Sequence, residues 1–480
     1  MTDPFVVVGG DAAGLSAASK CKREDPDREV VVFEKGSWVS YAHCGTPYFV
    51  KGEVESLDRL LSLSPEDVAD RGIDLKRHHE VLSVDTDAQT VTVRGSHDET
   101  FEQPYGDLLV ATGAHAVTSP IDGAGCEGAF TMHGLDSAAR TRAFLLGPET
   151  DAVADIGGEP YVDEAEVTHY GNMEPPESVA IVGGGYVGIE MAEAFSAHDL
   201  DVHLFQRSEH VLKPFGEPVA ERVEDHLREQ GVTLHMNSEV EGIRSDSEGT
   251  VEAIAFDGKA IAVEMALVGI GIRPNMAIIE DTPVAIGDSG AIAVDDYGRT
   301  NVEGVYAAGD VAEMRHAVTG DPDWVPLGLT ANRAGRAIGQ TVAGTDDDPE
   351  PVGDIAGTAV VKAFDLECGR TGITDVETAR EHGFDPVSET ITSRSRSGYY
   401  PGGAETTVTL VADRDSKRLL GGTIVGADRA AIRIDVLAMA LEQDATVPEL
   451  ERTDLAYAPP FAPVWDPILT AAKVLRGAMA

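Results

Sequence analysis

Cysteine is scarce in this sequence: Cys21, Cys44, Cys126 and Cys368 are the only four in 480 residues, and no two stand at CxxC spacing. That excludes a disulfide-stapled small domain and disfavours a cysteine-based zinc site or a local redox dithiol, so no metal is expected. Lysine is scarce too. It supplies ten of 37 basic residues against 83 acidic ones, for a net charge of −46. Such a chain repels the phosphates of nucleic acid and anionic lipid surfaces, which excludes both as general partners. The acid is spread along the whole length instead of gathering in a tail, the pattern of a halophilic surface whose self-repulsion is screened by salt. No apolar run approaches the roughly 18 residues of a membrane span, and the start lacks a basic segment followed by an apolar core. A cytoplasmic location is expected.

The chain exceeds what one hydrophobic core serves, so several domains are expected. Phe5 to Val8 reads as a buried parallel strand. Gly9-Gly10-Asp11-Ala12-Ala13-Gly14 follows, and then a helical stretch from Leu15. Gly9 allows the tight turn, Gly14 lets helix and strand approach, and the helix start faces a diphosphate. Asp11 stands where the middle glycine is usual, and its side chain is expected to crowd the diphosphate. The next strand ends at Glu34-Lys35, and the Glu34 carboxylate, twenty residues past Gly14, suits an adenosine ribose. A plain strand-to-helix turn is the alternative reading.

A second unit is cleaner. The strand Ser178 to Val182 leads into Gly183-Gly184-Gly185-Tyr186-Val187-Gly188, a full GxGxxG. Its following strand ends in Gln206-Arg207, where an NAD site would place an acid; an amide beside a guanidinium suits a 2′-phosphate, so NADPH is favoured over NADH. Two dinucleotide units in tandem suggest one resident flavin and one visiting nicotinamide.

Tyr105 to Ala114 reads YGDLLVATGA, and Thr300 to Asp310 reads TNVEGVYAAGD. With these segments the chain resembles the pyridine nucleotide-disulfide oxidoreductases. The resemblance implies an α/β fold like that of glutathione reductase: two Rossmann-like domains for FAD and NAD(P), plus a C-terminal α+β dimerisation domain. It implies FAD contacts at Ala111, Thr112 and Gly113, and at Gly309 and Asp310, whose carboxylate holds the ribityl hydroxyls. A helix N-cap before Val311 is the alternative role of Asp310. The expected division is an FAD-binding domain over 1–147, an acidic linker or insertion over 148–176, an NAD(P)-binding domain over 177–285, a second FAD segment over 286–350 and a dimerisation domain over 353–480.

Ser40-Tyr41-Ala42-His43-Cys44-Gly45-Thr46-Pro47-Tyr48 follows Glu34 closely, which puts Cys44 near the expected flavin ring. A thiolate there can attack a disulfide and be released by reduced flavin. Dithiol members of the family carry CxxxxC here, whereas this sequence has Ser40 four residues before Cys44 and Phe49 five residues after it, so the cysteine stands alone and the sequence resembles the single-cysteine branch, which includes coenzyme A-disulfide reductases and NADH oxidases. Oxidases place a histidine at the position of Ala12. Disulfide reduction therefore ranks above an NAD(P)H oxidase, forming peroxide or water, and above a low-turnover flavin redox sensor. The resemblance assigns Ser16, Lys20, Arg23, Ser40 and His43 to the coenzyme A moiety, although charges on a first helix are often only surface, and His43 stands where asparagine is usual. Cys21, Cys126 and Cys368 read as structural.

Near the end, Asp454 to Phe461 reads DLAYAPPF. By the same resemblance, Tyr457 reaches the active site of the other subunit of a homodimer, where it orients or protonates a leaving thiolate. The second tyrosine that some relatives carry after a Phe-Asp pair is absent, since Leu366 follows Phe364-Asp365.

Overall fold

The computed structural model describes residues 3–148, 150–344 and 349–479. Its first sheet is parallel, with strands in the order Val305–Ala307, Asp107–Val110, Phe5–Val8, Val30–Glu34 and Asp74–Arg77. Runs such as Phe5–Val8 are buried throughout, because helices cover one face and another sheet covers the other. On the helical face, Ala12–Glu24 and Gly328–Ala343 pack together. A Cβ at Gly335 or Gly339 would lie 2.1 or 2.2 Å from the carbonyl oxygens of Ala13 or Ala17, so only glycine lets these backbones approach so closely. The opposite face packs on an antiparallel sheet of Glu80–Asp85, Thr90–Arg94 and Thr100–Pro104.

The second unit repeats this build. Its parallel sheet runs Thr233–Met236, Asp201–Gln206, Ser178–Val182, Met265–Val268 and Ala129–Phe130. One face carries the helices Tyr186–Ser196 and Glu217–Glu229, and the other packs on the antiparallel strands Val240–Ser245, Val251–Phe256 and Lys259–Ala262. The strand Ala129–Phe130 therefore belongs to the second sheet, so the chain crosses between the units earlier than the expected joint over 148–176. That stretch forms the helices Ala152–Gly157 and Glu164–Gly171, which bury Ile156 and Val167. Asp163 caps the second by accepting hydrogen bonds from the amides of Ala165 and Glu166 at 3.0 and 3.2 Å.

The C-terminal unit is an antiparallel sheet ordered Ala359–Ala363, Leu366–Gly372, Leu419–Gly426, Glu405–Asp413 and Pro386–Arg394, packed under Ile434–Glu442 and Pro467–Ala478. All three units meet at Glu193, a buried carboxylate on the helix Tyr186–Ser196. It accepts hydrogen bonds from Lys51 Nζ at 2.6 Å, Lys362 Nζ at 2.5 Å and the Phe364 amide at 3.0 Å. Two cations and an amide compensate the buried charge. Several large apolar side chains of the C-terminal unit stay exposed, among them Ile432, Met439, Phe461, Val464 and Trp465. Among the described residues, no helix is long and apolar enough to cross a membrane.

Candidate functional site

The two glycine turns have one geometry. Gly9 and Gly183 adopt φ of +114° and +112°, and a Cβ on them would lie 2.1 Å from the Ala111 oxygen and 2.3 Å from the Gly269 oxygen. A Cβ on Gly14 or Gly188 would come within 1.9 Å of the carbonyl oxygen of Gly9 or Gly183. Only hydrogen fits at these four places. At the end of each second strand, a side-chain oxygen folds back on the turn. Glu34 accepts from the amides of Gly10 at 2.9 Å and Gly36 at 2.7 Å, and Gln206 accepts from the amide of Gly184 at 2.8 Å. Lys35 and Arg207 both project to the exterior.

At the middle position, Gly185 has open space where a Cβ would be, as a visiting diphosphate requires. Asp11 occupies the matching place in the first unit, and its carboxylate does not fill the cradle. It accepts a hydrogen bond from the Tyr41 amide at 3.0 Å and pairs with His43 Nε2 at 2.5 Å. The Asp11 side chain thus turns toward the Cys44 turn.

The edge of the same cradle is formed by Ala111, Thr112 and Gly113. Thr112 donates to the carbonyl of Asn275, and the Asn275 amide donates to the carbonyl of Thr112, both at 2.8 Å. A Cβ on Gly113 would meet no atom within 4 Å. Gly309, at φ +82°, brings Asp310 to the opposite side. Val311 continues a turn and starts no helix, so Asp310 is not an N-cap. Its half-buried carboxylate accepts no hydrogen bond from the described residues, and burial raises its pKa. A glycine cradle with an unpartnered acceptor at its rim fits FAD: the first turn for the diphosphate, Glu34 for the ribose and Asp310 for the ribityl hydroxyls.

Cys44 lies in the single turn His43–Gly45, just before the helix Thr46–Lys51. The residue reaches the surface, yet its sulfur is shielded enough that partial burial, and then the charges of Glu190 and Asp310, raise the thiol pKa. Glu190 comes from the second unit's helix and accepts a hydrogen bond from the Tyr48 hydroxyl at 3.1 Å. Burial, reinforced by Glu193 and opposed by Tyr48 and Lys362, pushes Glu190 up to about 7. A carboxylate facing a thiol disfavours the thiolate. In Glu190→Gln, the pH at which iodoacetamide alkylates Cys44 at half its maximal rate is therefore expected to fall, by up to about one pH unit.

The residues expected at the substrate divide. Ser16, Arg23 and Ser40 line a recess of about 340 Å³ together with Asp11, Ala12, Tyr41, Asn332, Arg71 and Arg336. Lys20 does not line it, because it pairs with Glu24 one helical turn on. His43 packs against Tyr41, with ring centroids 4.1 Å apart and the planes tilted by 30°, and turns to Asp11. Arg71 and Arg336 escape a sequence search because no local spacing ties residues 71 and 336 to the first helix. Glu190 had a usable signal, a carboxyl two residues past the last glycine of the second motif. In the C-terminal unit, the Tyr457 hydroxyl lies 3.4 Å from that of Tyr399, and both residues are exposed. A second tyrosine is thus present, from a different segment than the Phe364-Asp365 pair pointed to.

The sequence profile of the pyridine nucleotide-disulphide oxidoreductases matches residues 3–323, and that of their dimerisation domain matches 358–467. The NAD(P)H coenzyme A polysulfide/persulfide reductase of Pyrococcus horikoshii is 38% identical over 480 residues, 99% of each chain. The coenzyme A disulfide reductase of Staphylococcus aureus is 30% identical over 460 residues, 95% of this chain and 96% of that one. The solved NAD-dependent persulfide reductase from A. fulgidus aligns with a TM-score of 0.88 at 32% identity, over 99% of this chain and 83% of the other. This chain belongs to the pyridine nucleotide-disulphide oxidoreductases and is an FAD-dependent enzyme that uses NAD(P)H.

Proposed function

We propose that this enzyme reduces the disulfide of coenzyme A, or of a close relative bearing the same phosphates, through Cys44. The observation that carries the reading is the recess beside the cysteine turn. In a chain with 83 acidic residues, it gathers Arg23, Arg71 and Arg336, none of which forms an ion pair with a carboxylate among the described residues. Unpaired guanidinium groups around a cleft suit a ligand with several phosphates. The names of the relatives from P. horikoshii and S. aureus both include coenzyme A, which supports the same class.

The Cys44 thiolate attacks one sulfur of the disulfide, forms a mixed disulfide with that half and expels the other as a thiolate that takes a proton. FAD held by the first glycine turn, Glu34 and Asp310 would supply two electrons drawn from NAD(P)H; with them the sulfur–sulfur bond of the mixed disulfide breaks, the second half leaves as a thiolate that takes a proton, and Cys44 is left as its thiolate. The exposed apolar side chains around Trp465 and the matched dimerisation profile support a homodimer. Across that dimer, Tyr457 and Tyr399 present their hydroxyls to the departing thiolate of the neighbouring subunit.

NADPH is the favoured nicotinamide, because Arg207 stands exposed at the strand end without an acidic partner among the described residues. Arg207→Ala is expected to raise the KM for NADPH about tenfold and leave that for NADH within about twofold, by steady-state kinetics with both nucleotides. The test of the whole reading is anaerobic turnover of the holoenzyme with NADPH and coenzyme A disulfide. About two thiols released per NADPH is expected. Oxygen uptake in air, with no thiol product from the disulfide, would show an oxidase instead.

A further inference from the structure

Two side chains next to the first glycine turn lack counterparts in the second: Asp11 stands where the second turn has Gly185, and His43 comes from the Cys44 turn. They lie 32 positions apart and are bonded to each other, with Nε2 of His43 at 2.5 Å from Oδ2 of Asp11. We propose that His43 is a positioning residue whose positive charge neutralises Asp11, so that the flavin-binding turn can carry a carboxylate beside the cofactor's diphosphate while the pair ties the Cys44 turn to that turn.

Asp11 opens the first helix at the place where the second unit keeps Gly185 with open space around it. A bare carboxylate there opposes the two negative charges of a diphosphate at short range. Its Oδ1 is taken by the Tyr41 amide, which carries no full charge, so a cation has to come from elsewhere. The only cation that pairs with Asp11 among the described residues is His43.

The surroundings of His43 favour that cation. Tyr41 packs against its ring at a tilt of 30°, His133 lies across from it with centroids 6.0 Å apart, and the charge of Asp310, just past the strand Val305–Ala307, acts on it. Cys44 follows in the same turn. Burial works against the imidazolium, but the Asp11 hydrogen bond, then the charges of Asp11 and Asp310 and a hydrogen bond to the His133 backbone, outweigh it and raise the His43 pKa above the ordinary value. His133 is shifted the other way, by burial first, and it hydrogen-bonds the Ala114 carbonyl at 2.7 Å. The two neighbouring rings are thus shifted in opposite directions. A histidine with a raised pKa contributes its pairing fully at low pH and loses it as pH rises through that value.

The test is a double-substitution cycle read by flavin release from diluted holoenzyme, followed by the fluorescence of free FAD. His43→Asn alone leaves Asp11 uncompensated and is expected to weaken flavin retention by on the order of tenfold. Asp11→Gly alone costs little. The double variant D11G/H43N, which removes both charges together, is expected to return to within about threefold of the native protein. If the double variant loses flavin as badly as His43→Asn, or if His43→Asn retains flavin normally, the proposal is wrong. A second readout needs only proteins that keep His43. Flavin release from the native enzyme should quicken as pH rises from about 6 to about 9, and that rise should vanish in Asp11→Gly. An equal rise in both would also overturn the proposal. Neither readout depends on the disulfide that the enzyme reduces.

Discussion

Cys44→Ser is expected to lower disulfide reduction by roughly a thousandfold or more while leaving flavin content unchanged. The loss is large because no other sulfur can take over. Cys21 and Cys368 are buried, and burial pushes their thiols up to about 11 and about 12, so neither offers a thiolate near neutral pH. Cys126 sits in the turn beside Gly123, where the first unit joins the second. A serine hydroxyl at position 44 keeps the shape of the turn but is not an effective nucleophile toward a disulfide. In the proposed reading, electron uptake from NAD(P)H uses the second glycine turn and the flavin cradle, neither of which contains Cys44. NADPH-driven oxygen reduction is therefore expected to survive in the variant, and assaying both activities on one preparation separates a lost nucleophile from a lost cofactor.

Asp310→Ala is expected to act on the cofactor itself. The native carboxylate is half-buried and takes no donor from the described residues, while burial raises its pKa. Its oxygens are left for hydroxyl donors on the flavin chain, and each hydrogen bond to a charged acceptor is worth about 1.5–3 kcal/mol. Losing two such bonds weakens flavin binding by roughly a hundredfold or more, so the variant is expected to purify largely colourless, with a flavin-to-protein ratio well below the native one. Asp310→Asn keeps an acceptor and should recover part of the ratio. If Asp310→Ala retains flavin fully, the carboxylate has another task.

The parts of this molecule that were legible from sequence are those written in short spacings. Gly9 to Gly14 and Gly183 to Gly188 sit within six residues each, and the contacts that forbid a Cβ on Gly14 and Gly188 fall on the first glycine of the same turn. The segments over 148–176 hid their structure because helices of six and eight residues are too short for an apolar period to emerge. The recess was half visible. Ser16 and Arg23 share the first helix, but Arg71 and Arg336 arrive through tertiary packing, the latter on a helix brought in by Gly335 and Gly339.

Three local readings changed in the folded chain for electrostatic or topological reasons. Lys20 was expected to meet phosphate, yet Glu24 one turn away captures it. Asp11 was expected to crowd a diphosphate, yet it swings to His43 across 32 residues. Tyr399 comes to Tyr457 from a loop between the strands Pro386–Arg394 and Glu405–Asp413, a juxtaposition that no motif spells out.

The most direct measurement is mass spectrometry of the native holoenzyme after brief exposure to coenzyme A disulfide without nicotinamide. The peptide containing Cys44 should gain the mass of one coenzyme A, and adding NADPH should remove it. An adduct on a different cysteine, or steady thiol release with Cys44 never modified, would contradict the account.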